Sequence, residues 1–310
     1  MAIKSKYYRW LAMLCILQTF AIARAATPAT QPGQTPQFLR FVEGENGGGK
    51  LEAAIVTYKD ANGVVVHLDS ALHVAEKPFY EGMNKTFEGY DLLLYEMVKP
   101  KDMPPPEPGF KSTSAISSFQ RFLQDVLALD FQLDDIDYTK PNFLNADLDY
   151  ETFSRMQTER GESILGIMLK SMLHEMSREA AGQGRANNFG MFELLVALRA
   201  PDRPRQLKLL LGRQFDNIED QMAGLTGPNG SVIITERNKA VIEALKKAIA
   251  DGKKNIGIFY GAGHMRDMES RLLAMGFKPT GIEWRVGWDM SIKAGDPTTR
   301  PVPFTQPAGN

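Results

Sequence analysis

Cysteine is nearly absent from this chain. There is one in 310 residues, Cys15, and it falls in the N-terminal segment. That segment opens with Lys4, Lys6 and Arg9, continues through an apolar stretch at residues 10–23, and reaches Ala23-Arg24-Ala25, the small-x-small form of a secretory cleavage site. Residues 1–25 are therefore expected to be a signal peptide, and the protein to be exported, either periplasmic or extracellular. The apolar stretch is shorter than the about 20 residues a membrane span needs, so no stable span is expected after cleavage. Ala12-Met13-Leu14 ahead of Cys15 makes a poor lipoprotein signal. The chain that follows has no thiol. It can form no disulfide and offers no cysteine nucleophile, and any metal ion must be held by N and O ligands.

Other absences narrow the function further. An excess of positive charge is missing: the formal net charge is −1, and removing residues 1–25, with four basic residues and no acidic ones, takes it to −5. No basic stripe with interleaved aromatics is visible, which argues against nucleic acid as a partner. Gly-x-Ser-x-Gly is absent, so no serine-hydrolase elbow is indicated. Gly261 and Gly263 follow a strand-like run but lack the third glycine of a dinucleotide fingerprint. His174-Glu175 lacks the second histidine of a zincin and reads as a helix-surface pair. The Met-rich residues 168–176 read as core packing.

Between a Pro-, Thr- and Gln-rich linker at 26–37 and a disordered tail at 294–310 with four prolines, residues 38–293 read as one domain. Residues 51–59 and 63–68 read as strands around Asp60-Ala61-Asn62-Gly63, where Asn-Gly signals a hairpin. Residues 77–87 form an amphipathic stretch. Residues 90–98 (YDLLLYEMV) read as a buried strand with Glu96 near its end. Residues 103–109 read as an extended loop. The pattern from 114 to 223 is largely helical (114–129, 149–183, 187–200 and 205–222), with Pro201 and Pro204 as breakers. Residues 231–235 read as a strand, 239–251 as a helix capped by Gly252, 256–260 as a strand, and 267–275 as a helix closed by Gly276. The expected fold class is α/β, with core strands drawn from both chain ends and a large helical insert.

Histidine is scarce too, with four in all, and two of them occupy equivalent places. His73 and His264 each follow a strand-like run and a short turn of small residues, and each precedes a helix-like stretch. In a parallel α/β sheet, ligands gather outside the carboxyl ends of the strands, and Glu96 is expected at such an end as well. Two imidazoles and a carboxylate suit a divalent ion and leave positions for water, whose pKa the ion lowers. Glu76 and Asp147 are candidate general bases. Each residue also has a plainer reading: a histidine after a strand is commonly a hydrogen-bonded turn residue, and a buried carboxylate needs a partner, for which Arg237 is the candidate. His67 lies within a strand and reads as a satisfied core or sheet-face histidine.

Taken together, HVAEKPFYEGMNKTFEGYDLLLYEMV, QLDDIDYTKPNFLNADLDYETF, SVIITERNKAVIEAL and IGIFYGAGHMRDMESRLLAMGF resemble, in order, the TraB/PrgY/GumN family, whose animal relatives include the Tiki metalloproteases. The resemblance runs from about Leu51 to Met290. It implies an erythromycin-esterase/ChaN-like core with helical additions, and two Gly-x-x-His motifs plus a Glu that serve divalent-metal peptidase chemistry. By residue, the second motif is Gly261-Ala262-Gly263-His264 and the Glu is Glu96. The first motif is altered to Ser70-Ala71-Leu72-His73, with Ser where the family has Gly, and Asn145 stands where the family often has His. Arg237 matches the family's Arg, with a role in binding a substrate carboxylate or in neutralising Glu96. The resulting expectation is an exported metal-dependent hydrolase of peptidase type. His73, His264 and Glu96 hold Mn, Co or Zn, Asp147 is an accessory carboxylate, and Arg237 binds substrate. The alternative is a non-catalytic periplasmic binding protein that holds a peptide or a metal-bearing small molecule in the same cleft.

Overall fold

The computed structural model describes residues 38–106, 126–162, 191–215 and 230–292. The expected signal peptide, linker and tail lie outside them. So do His174-Glu175, the Met-rich run, and the expected helical residues 114–125 and 163–183. Among the described residues no helix is long and apolar enough to cross a membrane.

The fold is mixed α/β around a central sheet. Its strands are β1 (Leu39–Glu43), β2 (Gly49–Lys59), β3 (Val65–Ala71), β5 (Leu92–Tyr95), β7 (Phe143–Asn145), β8 (Asn255–Gly261) and β9 (Lys278–Asp289); β4 (Val74–Ala75) and β6 (Asp130–Phe131) form a separate small pair. β9 runs antiparallel along one edge of β2. β1 and β3 share the other edge, β1 against residues 49–53 and β3 against residues 55–59. Beyond β3 the sheet is parallel, in the order β3, β8, β5, β7. The strands do come from both chain ends, as expected. β1, β7 and β9 were not expected, and residues 90–98 supply a strand only over Leu92–Tyr95.

Side chains on these strands alternate between two buried layers, as a pleated sheet requires. Ala53, Ile55, Leu93, Tyr95 and Phe259 face one layer, and Ala54, Val56, Leu94, Ile258 and Tyr260 face the other. Helix α1 (Lys77–Phe87) covers the first with Phe79, Tyr80, Met83 and Phe87. Helices α6 (Arg237–Ala250) and α7 (Ala262–Ala274) cover the second with Val241, Leu245, Met265, Met268 and Leu272. Each such fully buried side chain contributes about 1.5–3 kcal/mol. Gly257 is needed in β8, because a Cβ there would come within 2.3 Å of the Tyr90 ring. The hairpin at residues 60–63 is present: Gly63 has φ +81, and Asp60 N–H donates to Val64 O.

In chain order between α1 and α6 come a short helix α2 (Gln132–Asp135), α3 (Tyr150–Arg160), α4 (Met191–Arg199) and α5 (Arg203–Phe215). α3 starts where Asp149 accepts the Thr152 N–H and ends at Gly161 in the left-handed region. Two boundaries correct the sequence reading. The β-branched run at 231–235 is a π-helical turn, Val232–Glu236, not a strand; Ser231 Oγ caps Ile234 N–H and Thr235 Oγ1 accepts Ser231 N–H, so local side-chain acceptors override strand propensity. Helix α7 begins at Ala262, five residues earlier than expected, so that GAGH is its first turn rather than a turn before it.

Candidate active site at the carboxyl edge of the sheet

Four parallel strands end together. Ala71 pairs with Gly261, Tyr95 with Phe259, and Tyr95 with Asn145. The residues just past these ends are His73, His264, Glu96 and Asp147, so the topology delivers all of them to one edge of the sheet. Arg237, at the start of α6, reaches in between.

Arg237 is the hub. Its guanidinium meets Asp147 in a bidentate pair, Nε to Oδ1 at 2.9 Å and Nη2 to Oδ2 at 2.6 Å. The same Nη2 donates to Glu96 Oε1 at 2.6 Å, and Nη1 lies 3.4 Å from His264 Nε2. The other Glu96 oxygen accepts the Gly261 N–H at 2.7 Å. Of the two roles open to Arg237 in the sequence, neutralising Glu96 is the contact that is present. Its side chain is 1% exposed, so these charges meet out of water.

Burial and neighbouring charges compete to set the protonation of the group. Burial works to raise the Glu96 carboxyl, but Arg237, the two histidines and the Gly261 N–H overcome it and hold the group far below the usual carboxylate range. Burial dominates at Asp147 and pushes it up against the opposing pull of Arg237. Burial also works against the charge on Arg237, yet Asp147 and Glu96 keep it protonated. His264 is pushed down to about 3, first by burial and then by Arg237 and His73 against Glu96, and is therefore neutral near pH 7. Tyr260 donates to Ala146 O and packs its ring edge-on to His264 at 5.4 Å.

The histidines are held from behind. His264 Nδ1 is 2.7 Å from Asn238 Oδ1, and His73 Nδ1 is 3.1 Å from Gln132 Oε1. Sequence reasoning passed over both amides. Asn238, next to Arg237 in the Glu-Arg-Asn run, was the legible one. Glu76 bonds elsewhere: it pairs with Lys208 at 2.7 Å and accepts the Asp289 N–H. Asn145 donates to Met97 O, so its amide ties down the loop after β5. Ser70 lies inside β3, and left-handed backbone among non-glycine described residues is confined to Asn46 and Ala128. A serine at position 70 therefore imposes no strain of that kind. His67 bonds Thr57 and Asn255 and stacks on Tyr90, the satisfied sheet-face residue expected of it.

Among the described residues no three His, Cys, Asp or Glu side chains group closely enough to hold an ion. In donor type the edge does suit one. His264 Nε2 and Glu96 Oε1 face each other at 3.8 Å, a span two ligands of one divalent ion can bridge, and they are a neutral imidazole and an ionised carboxylate. Comparison of the chain with protein-family models, curated proteins and solved structures finds no match.

Proposed function

We propose that this edge is the active site of an exported metal-dependent hydrolase of peptidase type, on an erythromycin-esterase/ChaN-like core of the TraB/GumN kind. The observation that carries the reading is the facing pair His264 Nε2 and Glu96 Oε1, a neutral nitrogen donor and a carboxylate kept ionised, 3.8 Å apart. His264 and Glu96 would hold the ion, Mn, Co or Zn; His73 does not group closely enough with them in this structure and would have to move in to serve as third ligand. Such an ion supplies Lewis acidity and a bound water that ionises near neutral pH. Asp147 fixes Arg237 by its bidentate pair, and Arg237 holds Glu96 deprotonated and in place. Peptides or small-molecule acyl compounds are the substrate class.

The test is metal analysis of protein purified without chelator, beside a His73→Ala/His264→Ala double variant. The wild type should carry a divalent ion and the double variant little. Equal content in both would sink the reading. One observation favours the alternative of a non-catalytic periplasmic binding protein: Arg237 already engages both carboxylates of the edge, so neither stands ready as a base. A peptide and ester library separates the two. Metal-dependent cleavage supports the hydrolase. A ligand that raises the melting temperature without being turned over supports the binding protein.

A further inference from the structure

The contacts behind the two histidines are alike although they come from unrelated parts of the chain. Asn238 belongs to α6 and Gln132 to α2, and both are buried. The amide of Asn238 can face only one way. Its Nδ2 donates to His264 O at 3.0 Å and to Asp267 Oδ2 at 2.7 Å, and neither of those atoms can donate in return. Asp267 is in turn held by Arg271 Nε at 2.6 Å. The Asn238 oxygen must therefore be the atom facing His264 Nδ1, and an amide oxygen only accepts. Gln132 makes the matching contact at His73. Its Oε1 lies 3.1 Å from His73 Nδ1, its Nε2 lies 2.8 Å from Tyr138 OH, and its backbone N–H donates to His73 O at 3.1 Å; because a hydroxyl both donates and accepts, the tautomer of His73 follows from which end of the amide Tyr138 takes.

We propose that Asn238 and Gln132 are paired positioning residues that lock His264 and His73 in one tautomer, Nδ1 protonated and Nε2 basic. The role assigned to them rests on the reading of this edge as a working site. A ring whose Nδ1–H is tied to a fixed acceptor can turn only Nε2 toward a ligand or a proton, and partners of this kind orient metal-binding imidazoles. Two rings fixed in the same sense by two separate elements give the edge two nitrogen donors of one type.

The experiment is long-range 1H–15N correlation on the full chain labelled at histidine, at pH 7, where four imidazoles keep the spectrum assignable with single His→Ala variants. Both His73 and His264 should carry the proton on Nδ1. Asn238→Leu should move His264 alone toward the Nε2-protonated form, and Gln132→Leu should do the same to His73 alone, each ring serving as control for the other. A proton on Nε2 of either ring in the wild type, or Nδ1–H retained in both leucine variants, overturns the inference. Should Asn238→Leu not fold, Asn238→Asp keeps an oxygen acceptor and must retain Nδ1–H; a proton on Nε2 there overturns it equally. The second readout is zinc affinity, which should fall about 10- to 100-fold in Asn238→Leu. Unchanged affinity alongside a changed tautomer overturns the positioning role. A wild type that binds none of Mn, Co and Zn overturns the proposed hydrolase while the tautomer measurement still stands by itself.

Discussion

Arg237 Nη2 donates to Glu96 Oε1 at 2.6 Å while Arg237 Nη1 lies 3.4 Å from His264 Nε2, so a single guanidinium touches two of the residues that two other strand ends deliver. Arg237→Leu would leave Glu96 and Asp147 as buried charges without a counterion. Removing one partner of a buried pair costs about 3–5 kcal/mol. Arg237→Lys restores the charge but cannot reproduce the bidentate fork to Asp147. Urea unfolding at pH 7 should therefore rank the stabilities wild type, Arg237→Lys, Arg237→Leu. A leucine variant within 1 kcal/mol of wild type would contradict the burial and pairing described here.

The acid limb of the stability curve tests Glu96. Its folded-state carboxyl is held below its ordinary value, burial being overcome by Arg237 and the histidines. A depressed carboxylate contributes stability that is complete above the unfolded value of about 4.3 and drains away as pH falls toward the folded one. Glu96→Gln should lose stability at pH 7 and lose less of what remains between about pH 4.3 and 2. Asp147 opposes this trend in both proteins, because its own carboxyl is raised by burial. A steeper acid slope in Glu96→Gln than in wild type would contradict the assignment.

How much of this was readable beforehand differs residue by residue, and the differences have physical causes. His73, Glu96 and His264 were placed from the rule that the ends of parallel strands share an edge, which depends only on finding the strands, whereas Asp147 was named only as a candidate base because the strand before it was not found. Residues 256–260 and the hairpin at 60–63 carry strong local signals, and both are present. β9 was missed because its first six residues are exposed and carry no apolar alternation. β7 is three residues long and has too little pattern to find. The turn at 231–235 looks like a strand because Val and Ile favour strands, and a serine cap decided otherwise. Gln132 could not be linked to His73 from sequence, since nothing local joins residues 59 positions apart.

Ser70 gives a stability prediction. Its side chain is buried, its Oγ has no partner among the described residues, and its backbone is ordinary strand. A buried hydroxyl left unpaired costs about 1–3 kcal/mol. Ser70→Ala removes that cost and keeps the strand, so it should raise stability by about 1 kcal/mol. Ser70→Gly should fall about 0.5–1 kcal/mol below Ser70→Ala from backbone entropy. Thermal unfolding of the two variants checks the order, and a glycine variant more stable than the alanine one would reverse the reading.

Asp69 provides the clearest pH signature away from the site. It is fully buried in β3, its Oδ1 accepts from Tyr90 OH at 2.9 Å, and its Oδ2 has no partner among the described residues. Burial drives its carboxyl well above the ordinary value, and Tyr90 and Arg285 offset this only in part. For an acid raised on folding, the stabilising contribution is complete below the unfolded value of about 3.9 and is lost as pH rises toward the folded one. Asp69→Asn keeps an oxygen to accept from Tyr90 and cannot ionise. Its stability should therefore exceed that of wild type at pH 7 by an amount that shrinks as pH is lowered toward about 4, at up to 1.4 kcal/mol per pH unit across the interval. Urea unfolding of both proteins at several pH values between 4 and 8 measures the difference. A gap that stays constant across the interval would mean that Asp69 does not titrate with folding.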